Sequence, residues 1–195
     1  MIETIDISAL ANPMTDEQFE QLCAQNRDTK FEMTSQGELI IMSPTGSESG
    51  RQNADLLIQI GTWNRQQKLG VVFDSSTGFT LPNGAKRSPD VSWIENSRWN
   101  SLTQKQKREF APIAPDFVLE LLSPNDRLQD VQKKMEEYLA SGIKLGWLIY
   151  PDEARVEIYR LDRDKEVLDS PQSLSGGDLM PGLIVELDEI LTTRL

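Results

Sequence analysis

The stretch from Pro115 to Pro151, PDFVLELLSPNDRLQDVQKKMEEYLASGIKLGWLIYP, constrains the fold of this chain more than any other. It reads as strand, turn, helix, strand. In the first strand Phe117, Val118, Leu119, Leu121 and Leu122 place apolar side chains on both sides of the pleat, the pattern of a central strand covered on both faces. Glu120 breaks the pattern, sharing its face with Val118 and Leu122. An ionised carboxylate without a partner is costly there, so it calls for a cation, a metal ion or a proton.

The helix that follows offers the cation. Asp126 and Gln129 have the spacing of a capping box, Leu128, Val131, Met135, Tyr138 and Leu139 form an apolar stripe at helical spacing, and Gly142 supplies the stop. At about 100° per residue, Lys134 falls at the border of the stripe beside Tyr138 and can reach inward along its aliphatic stem. Lys133 points into water.

Composition narrows the chemistry. The 195 residues, 38% of them hydrophobic, suit one domain spanning 1–195, with 1–13 as a loosely attached lead-in. With no histidine, Ser-His and Cys-His nucleophiles and His-ligated zinc are excluded, leaving carboxylates, lysine, tyrosine and hard cations. The lone Cys23 cannot form an intrachain disulfide and reads as a core residue. No apolar run approaches the roughly 20 residues of a membrane span, and MIETIDISAL lacks the basic start of a secretion signal, so the expected location is cytoplasmic. The net charge of -11 opposes nonspecific adhesion to nucleic acid.

In chain order, Thr15 and Gln18 cap a first helix, with Met14 and Phe19 as its hydrophobic staple. Phe31–Met33 and Glu38–Met42 read as a hairpin around Thr34–Gly37, followed by a helix over 47–67 with Leu57, Ile58 and Trp63 buried and Gly70 at its end. A second hairpin is expected from 71–73 and 78–81, then a strand over 91–94 and a polar connection over 95–114 whose Lys105, Lys107 and Arg108 read as a solvated face. Strands over 145–150 and 155–159 pair as a hairpin through Pro151-Asp152-Glu153, followed by a weaker strand around Val167, an apolar 183–185 segment and a short terminal helix. Hairpins around a strand-helix-strand unit specify α/β or α+β: a mixed sheet flanked by helices.

Asp90 opens a strand after Pro89, and Glu120 sits inside the next. Two carboxylates on neighbouring strands and a lysine from the adjoining helix can bind Mg²⁺ and activate a water, the lysine stabilising charge as a phosphodiester is attacked. The bland alternative is a structural Glu120–Lys134 pair. Tyr138 and Trp147 lie in strongly apolar patterns and read as packing residues.

Phe31-Glu32, Gly37 to Pro44, Arg87-Ser88-Pro89-Asp90-Val91, Pro115 to Pro124, Asp130 to Lys134 with Tyr138, and Gly142 to Pro151 occur in an order that resembles the Uma-type family of restriction-endonuclease-like proteins, within the PD-(D/E)XK nuclease superfamily. The resemblance runs from about residue 15 to the C-terminus and includes Met180-Pro181-Gly182-Leu183. It implies a restriction-endonuclease-like core and metal-dependent cleavage of nucleic acid, foremost DNA, with Mg²⁺ or Mn²⁺ as cofactor. Asp90 matches the first motif aspartate and Glu120 the acidic member of the second. Leu122 stands where the superfamily lysine usually lies, and Lys134 is the matching lysine from the next helix. Arg51-Gln52-Asn53 stands where many relatives show a histidine. Glu38 and Glu32 fall in matched segments and can approach the metal from the first hairpin, although by pattern alone both read as exposed carboxylates. The alternative function is an inactive binding or accessory module of a mobile-element or defence system. Analogy with related nucleases suggests a homodimer.

Overall fold

The computed structural model describes residues 14–161 and 163–191, so the expected lead-in over 1–13 lies outside the described residues. Helix α1 (Asp16–Gln25) starts in the capping box read from sequence: Thr15 Oγ1 accepts from the Gln18 N–H, and Gln18 Oε1 accepts from the Thr15 N–H. Its face buries Phe19 and Leu22 against Met14, Phe31 and Met33, with Cys23 half-buried at the margin. Strands β1 (Lys30–Met33) and β2 (Leu39–Met42) pair antiparallel, Glu32 opposite Ile40 and Phe31 opposite Ile41.

Helix α2 (Ser47–Gln67) has the expected span but a different buried stripe: Gln52, Leu56, Ile60 and Trp63. Ile58, expected in the core, is 64% exposed, because it lies about 200° round the helix from both Leu56 and Ile60. The helix stops at Lys68, which itself adopts the left-handed conformation (φ 56°), so Gly70 is not the stop. Gly70 begins β3 (Gly70–Asp74). The expected hairpin from β3 to 78–81 does not form. Asp74 Oδ1 accepts from the N–H and hydroxyl of Ser76, turning the chain away from β3. β4 (Phe79–Thr80) then pairs with β5 (Lys86–Arg87), while β3 pairs antiparallel with β6 (Val91–Glu95).

The polar connection contains α3 (Asn96–Ser101) and a 3-10 turn at Gln106–Arg108, with the Lys107 ammonium over the Trp99 ring. Strand β7 (Phe117–Leu121) is buried at every position, as its sequence requires. Helix α4 (Leu128–Ala140) then leads to β8 (Leu145–Tyr150), parallel to β7. The capping box expected at its start is absent: Asp126 accepts instead from the Ser123 N–H, and the cap position falls to Arg127. Gly142, at φ 95°, turns the chain out of α4 as expected.

β9 (Arg155–Arg160) closes the predicted hairpin with β8, and β10 (Glu166–Asp169) pairs with β9. β11 (Ser173–Ser175) and β12 (Ile184–Glu186) form a small ribbon. The end of the chain shows only a turn, Leu191 N–H bonding Leu187 O, in place of a helix among the described residues. The architecture is therefore mixed α/β: a six-stranded sheet ordered β10-β9-β8-β7-β6-β3, and a four-stranded sheet ordered β2-β1-β5-β4. Among the described residues no helix is long and apolar enough to cross a membrane.

Alternation sorts the core. Val91, Trp93, Phe117, Leu119, Trp147 and Ile149 pack on one face against Leu56, Ile60 and Trp63 of α2. Val118, Leu148 and Tyr150 pack on the other against Met135 and Tyr138 of α4. One position tests this packing directly. A Cβ at Gly70 would meet the Ile94 carbonyl oxygen and the Trp93 indole, whereas one at Gly61 in α2 meets nothing within 4 Å. Gly70→Ala is expected to lose about 2 kcal/mol or more in urea denaturation, while Gly61→Ala is neutral or gains up to about 1 kcal/mol.

Candidate active site

The α4 face of β7 carries Glu120, only 6% exposed, and the helix above it delivers the compensating charge. Lys134 Nζ lies 2.9 Å from Glu120 Oε1 and 2.9 Å from Glu32 Oε1. Lys133 is exposed and reaches only Asp130, at 3.8 Å. The angular argument from sequence thus separates the two lysines as the structure does. One turn further on, the Tyr138 hydroxyl donates to Glu120 Oε1 at 3.0 Å.

Asp90 approaches from β6. The antiparallel register pairs Val91 with Leu119. Asp90, the residue before this pair, lies just outside the ladder and near enough to Glu120 for its charge to raise the Glu120 carboxyl. Asp90 Oδ2 accepts from the Leu121 N–H at 2.8 Å. These contacts engage one oxygen of each carboxylate.

Glu32 is the carboxylate that pattern reading left on the surface. It is 2% exposed, bound by Lys134, by Arg87 Nη1 at 3.0 Å and by the Ser88 N–H at 2.9 Å. Arg87 is buried too and holds Glu137 of α4 through its Nε. Arg87 went unassigned in the sequence reading. Its signal was its place in a matched motif three residues before Asp90. Glu38, the third candidate metal ligand, is exposed and lines the same cleft.

Burial pushes the Glu120 carboxyl up to about 8; Lys134 opposes the rise, and Asp90 and Glu32 add to it. Burial likewise raises Asp90. Glu32 ends below its ordinary value, because Lys134 and Arg87 outweigh its burial. Burial disfavours the Lys134 ammonium, yet Glu120 and Glu32 hold it above its ordinary value, so it stays charged at any physiological pH. Among the described residues, Glu32, Asp90, Glu120 and Glu137 thus face two cations, Lys134 and Arg87. A proton on Glu120 halves the excess, and a divalent cation beside it removes it.

The site opens into a broad cleft of about 1640 Å³ that is also lined by β2, the start of α2 and the start of α4. Among the described residues, no group of three or more Asp, Glu or Cys side chains is arranged to hold a metal ion by itself.

The Uma2 family, described as "putative restriction endonuclease", matches residues 16–190. The chain belongs to the Uma2 family. A crystal structure described as a "putative nuclease belonging to DUF820", from Anabaena variabilis, shares its fold with a TM-score of 0.69, covering 82% of this chain and 88% of that one at 24% identity. No curated protein matches this one. In this Uma2 protein the matched range includes Asp90 just before β6, Glu120 in β7 and Lys134 in α4.

Proposed function

We propose that this Uma2 protein is a metal-dependent nuclease that hydrolyses phosphodiester bonds of nucleic acid, DNA foremost. The observation that carries the reading is Lys134, 2.9 Å from both Glu120 and Glu32, with Asp90 bonded to the Leu121 N–H next to Glu120. Oxygen ligands and an excess of negative charge fit a hard divalent cation. Mg²⁺ needs only one or two protein carboxylates when water and a substrate phosphate complete its octahedron. Asp90 and Glu120 are the residues to hold it, each through the oxygen not engaged above, and Glu38 would act only through solvent. Mg²⁺ or Mn²⁺ bound there supplies Lewis-acid polarisation of the phosphoryl oxygen and acidifies water.

The chain's own groups have separable roles. Lys134 stays protonated, so it acts as a fixed positive charge on the attacked phosphate and not as the proton acceptor. Glu32 and Arg87 position it: Glu32 holds the ammonium from the side opposite Glu120, and Arg87 ties Glu32 to Glu137 of α4. Water adds to phosphorus and one P–O ester bond breaks, giving a phosphate monoester and an alcohol.

Purified protein with Mg²⁺ or Mn²⁺ is expected to cut members of a DNA and RNA panel, with Asp90→Ala and Glu120→Ala each about 100-fold slower or worse. Calorimetric Mn²⁺ titration should show uptake that Glu120→Gln weakens. Neither uptake nor cleavage across the panel would overturn the reading. A net charge of -11 favours a second reading, a nuclease-fold accessory module that binds without cutting. Metal-independent binding with no cleavage would establish it.

A further inference from the structure

The cleft has two unlike walls. One is β2 and the loop after it. From Glu32 to Gly50 the sequence contains no lysine or arginine. The β1–β2 register places Ile40 beside Glu32 and Met42 beside Lys30 on one sheet face, the face on which Glu32 meets Lys134. Ile40 is 38% exposed and Met42 partly so, with the acidic Glu38 and Glu48 at the ends of the wall. The opposite wall, the start of α4, carries the exposed cations Arg127 and Lys133. Of the acids beside them, Asp126 accepts from the Ser123 N–H and Asp130 pairs with Lys133 at 3.8 Å, an exposed pair that a phosphate can replace.

A duplex presents phosphates on its outer surface on both strands. Seated here, it would press one phosphate row against Ile40, Met42 and Glu38, where the wall itself holds no lysine or arginine and the nearest, Arg51, is paired with Glu48 at 2.7 Å. A single strand has phosphates along one side and base faces on the other, and apolar side chains such as isoleucine and methionine pack well on unstacked bases. That asymmetry matches the two walls.

We propose that the cleft accepts one unpaired nucleic-acid strand, its phosphates along Arg127 and Lys133 and its bases against Ile40 and Met42, with the strand running over β2 to the Lys134 site. The proposal names the substrate class of the nuclease reading above and rests on it for the direction of the strand.

Anisotropy of fluorescein-labelled oligonucleotides about 15 nucleotides long, measured in Ca²⁺ to limit cleavage, tests it with single-stranded DNA, single-stranded RNA and duplex DNA of one sequence. The single strands should bind at least about tenfold more tightly than the duplex, and Ile40→Ser with Met42→Ser should weaken them by about tenfold. Ile58→Ser, exposed outside the cleft, should change nothing. Arg127→Ala and Lys133→Ala should each reduce the slope of log affinity against log salt by about 0.7 to 1. The DNA and RNA arms decide which sugar is taken.

Equal or tighter duplex binding, or indifference to Ile40 and Met42, overturns the strand assignment even if Mg²⁺-dependent cleavage is found, and then the nuclease reading survives alone. Strand-selective, Ile40-dependent binding with no cleavage in Mg²⁺ or Mn²⁺ has the reverse meaning: the strand assignment stands and the nuclease reading falls. Binding of no oligonucleotide overturns both.

Discussion

Lys134→Met will lose nuclease activity by about a thousandfold or more and destabilise the fold by about 3–5 kcal/mol, the scale for breaking a buried charge pair from one side. Both effects follow from one geometry. Methionine preserves the aliphatic stem but removes the ammonium that lies 2.9 Å from Glu120 and Glu32. Glu32 keeps Arg87 and the Ser88 N–H, whereas Glu120 keeps the neutral Tyr138 hydroxyl. Glu120 can then reduce the cost by taking up a proton, so the destabilisation should be smaller at about pH 6 than at about pH 9. Lys133→Met, one residue away on the exposed face, should stay within about 0.5 kcal/mol of wild type. Urea denaturation of both variants at the two pH values measures the difference. Equal stability of the two variants would mean that Lys134 does not bridge the carboxylates.

Glu120→Gln will flatten the pH profile of stability. The Glu120 carboxyl is raised from the ordinary carboxylate range to about 8 by burial. Because its protonated form is favoured in the folded state, its stabilising contribution is complete below the unfolded value, near 4.5, and is lost as the pH rises through about 8. At up to 1.36 kcal/mol per pH unit for one proton, wild type should lose roughly 2 kcal/mol between about pH 6 and pH 8. Glutamine carries no titrating proton, so the variant should be flat over that interval and become the more stable protein above it. Glu32 has the opposite sign: its carboxyl is held below the ordinary value, so its contribution is present above that range and fades on acidification. Saturating Mg²⁺ should flatten the wild-type profile as well, since a cation that binds the carboxylate displaces its proton. Thermal melts from about pH 5 to pH 9, with and without Mg²⁺, decide this; a wild-type profile parallel to that of Glu120→Gln would remove the raised carboxyl from the account.

The contrast between Glu32 and Glu38 shows how far the site was legible before the fold was known. Both sit in the first hairpin and both alternate with apolar residues, so the local pattern treats them alike. The difference lies in what stands opposite. Glu32 faces α4 and the Arg87 of β5, segments 55 to more than 100 residues away in sequence, while Glu38 lies just before β2 and is exposed. Arg87 escaped notice for the same reason: an arginine after a turn reads as solvated until two glutamates from distant elements converge on it.

What the sequence determined by itself was local and periodic. A strand apolar on both faces had to be central, a carboxylate inside it had to be compensated, and the 100° step of a helix put Lys134 and not Lys133 on the side that could do it. The absence of histidine restricted the chemistry to carboxylates, lysine and hard cations. Tertiary structure decided the partners. β3 pairs with β6 instead of folding back on the next segment, Ile58 faces water, and Glu32 is drawn inside. Strand pairing and burial depend on which surfaces meet after the chain has closed long loops, and residue patterns within one element carry no record of that meeting.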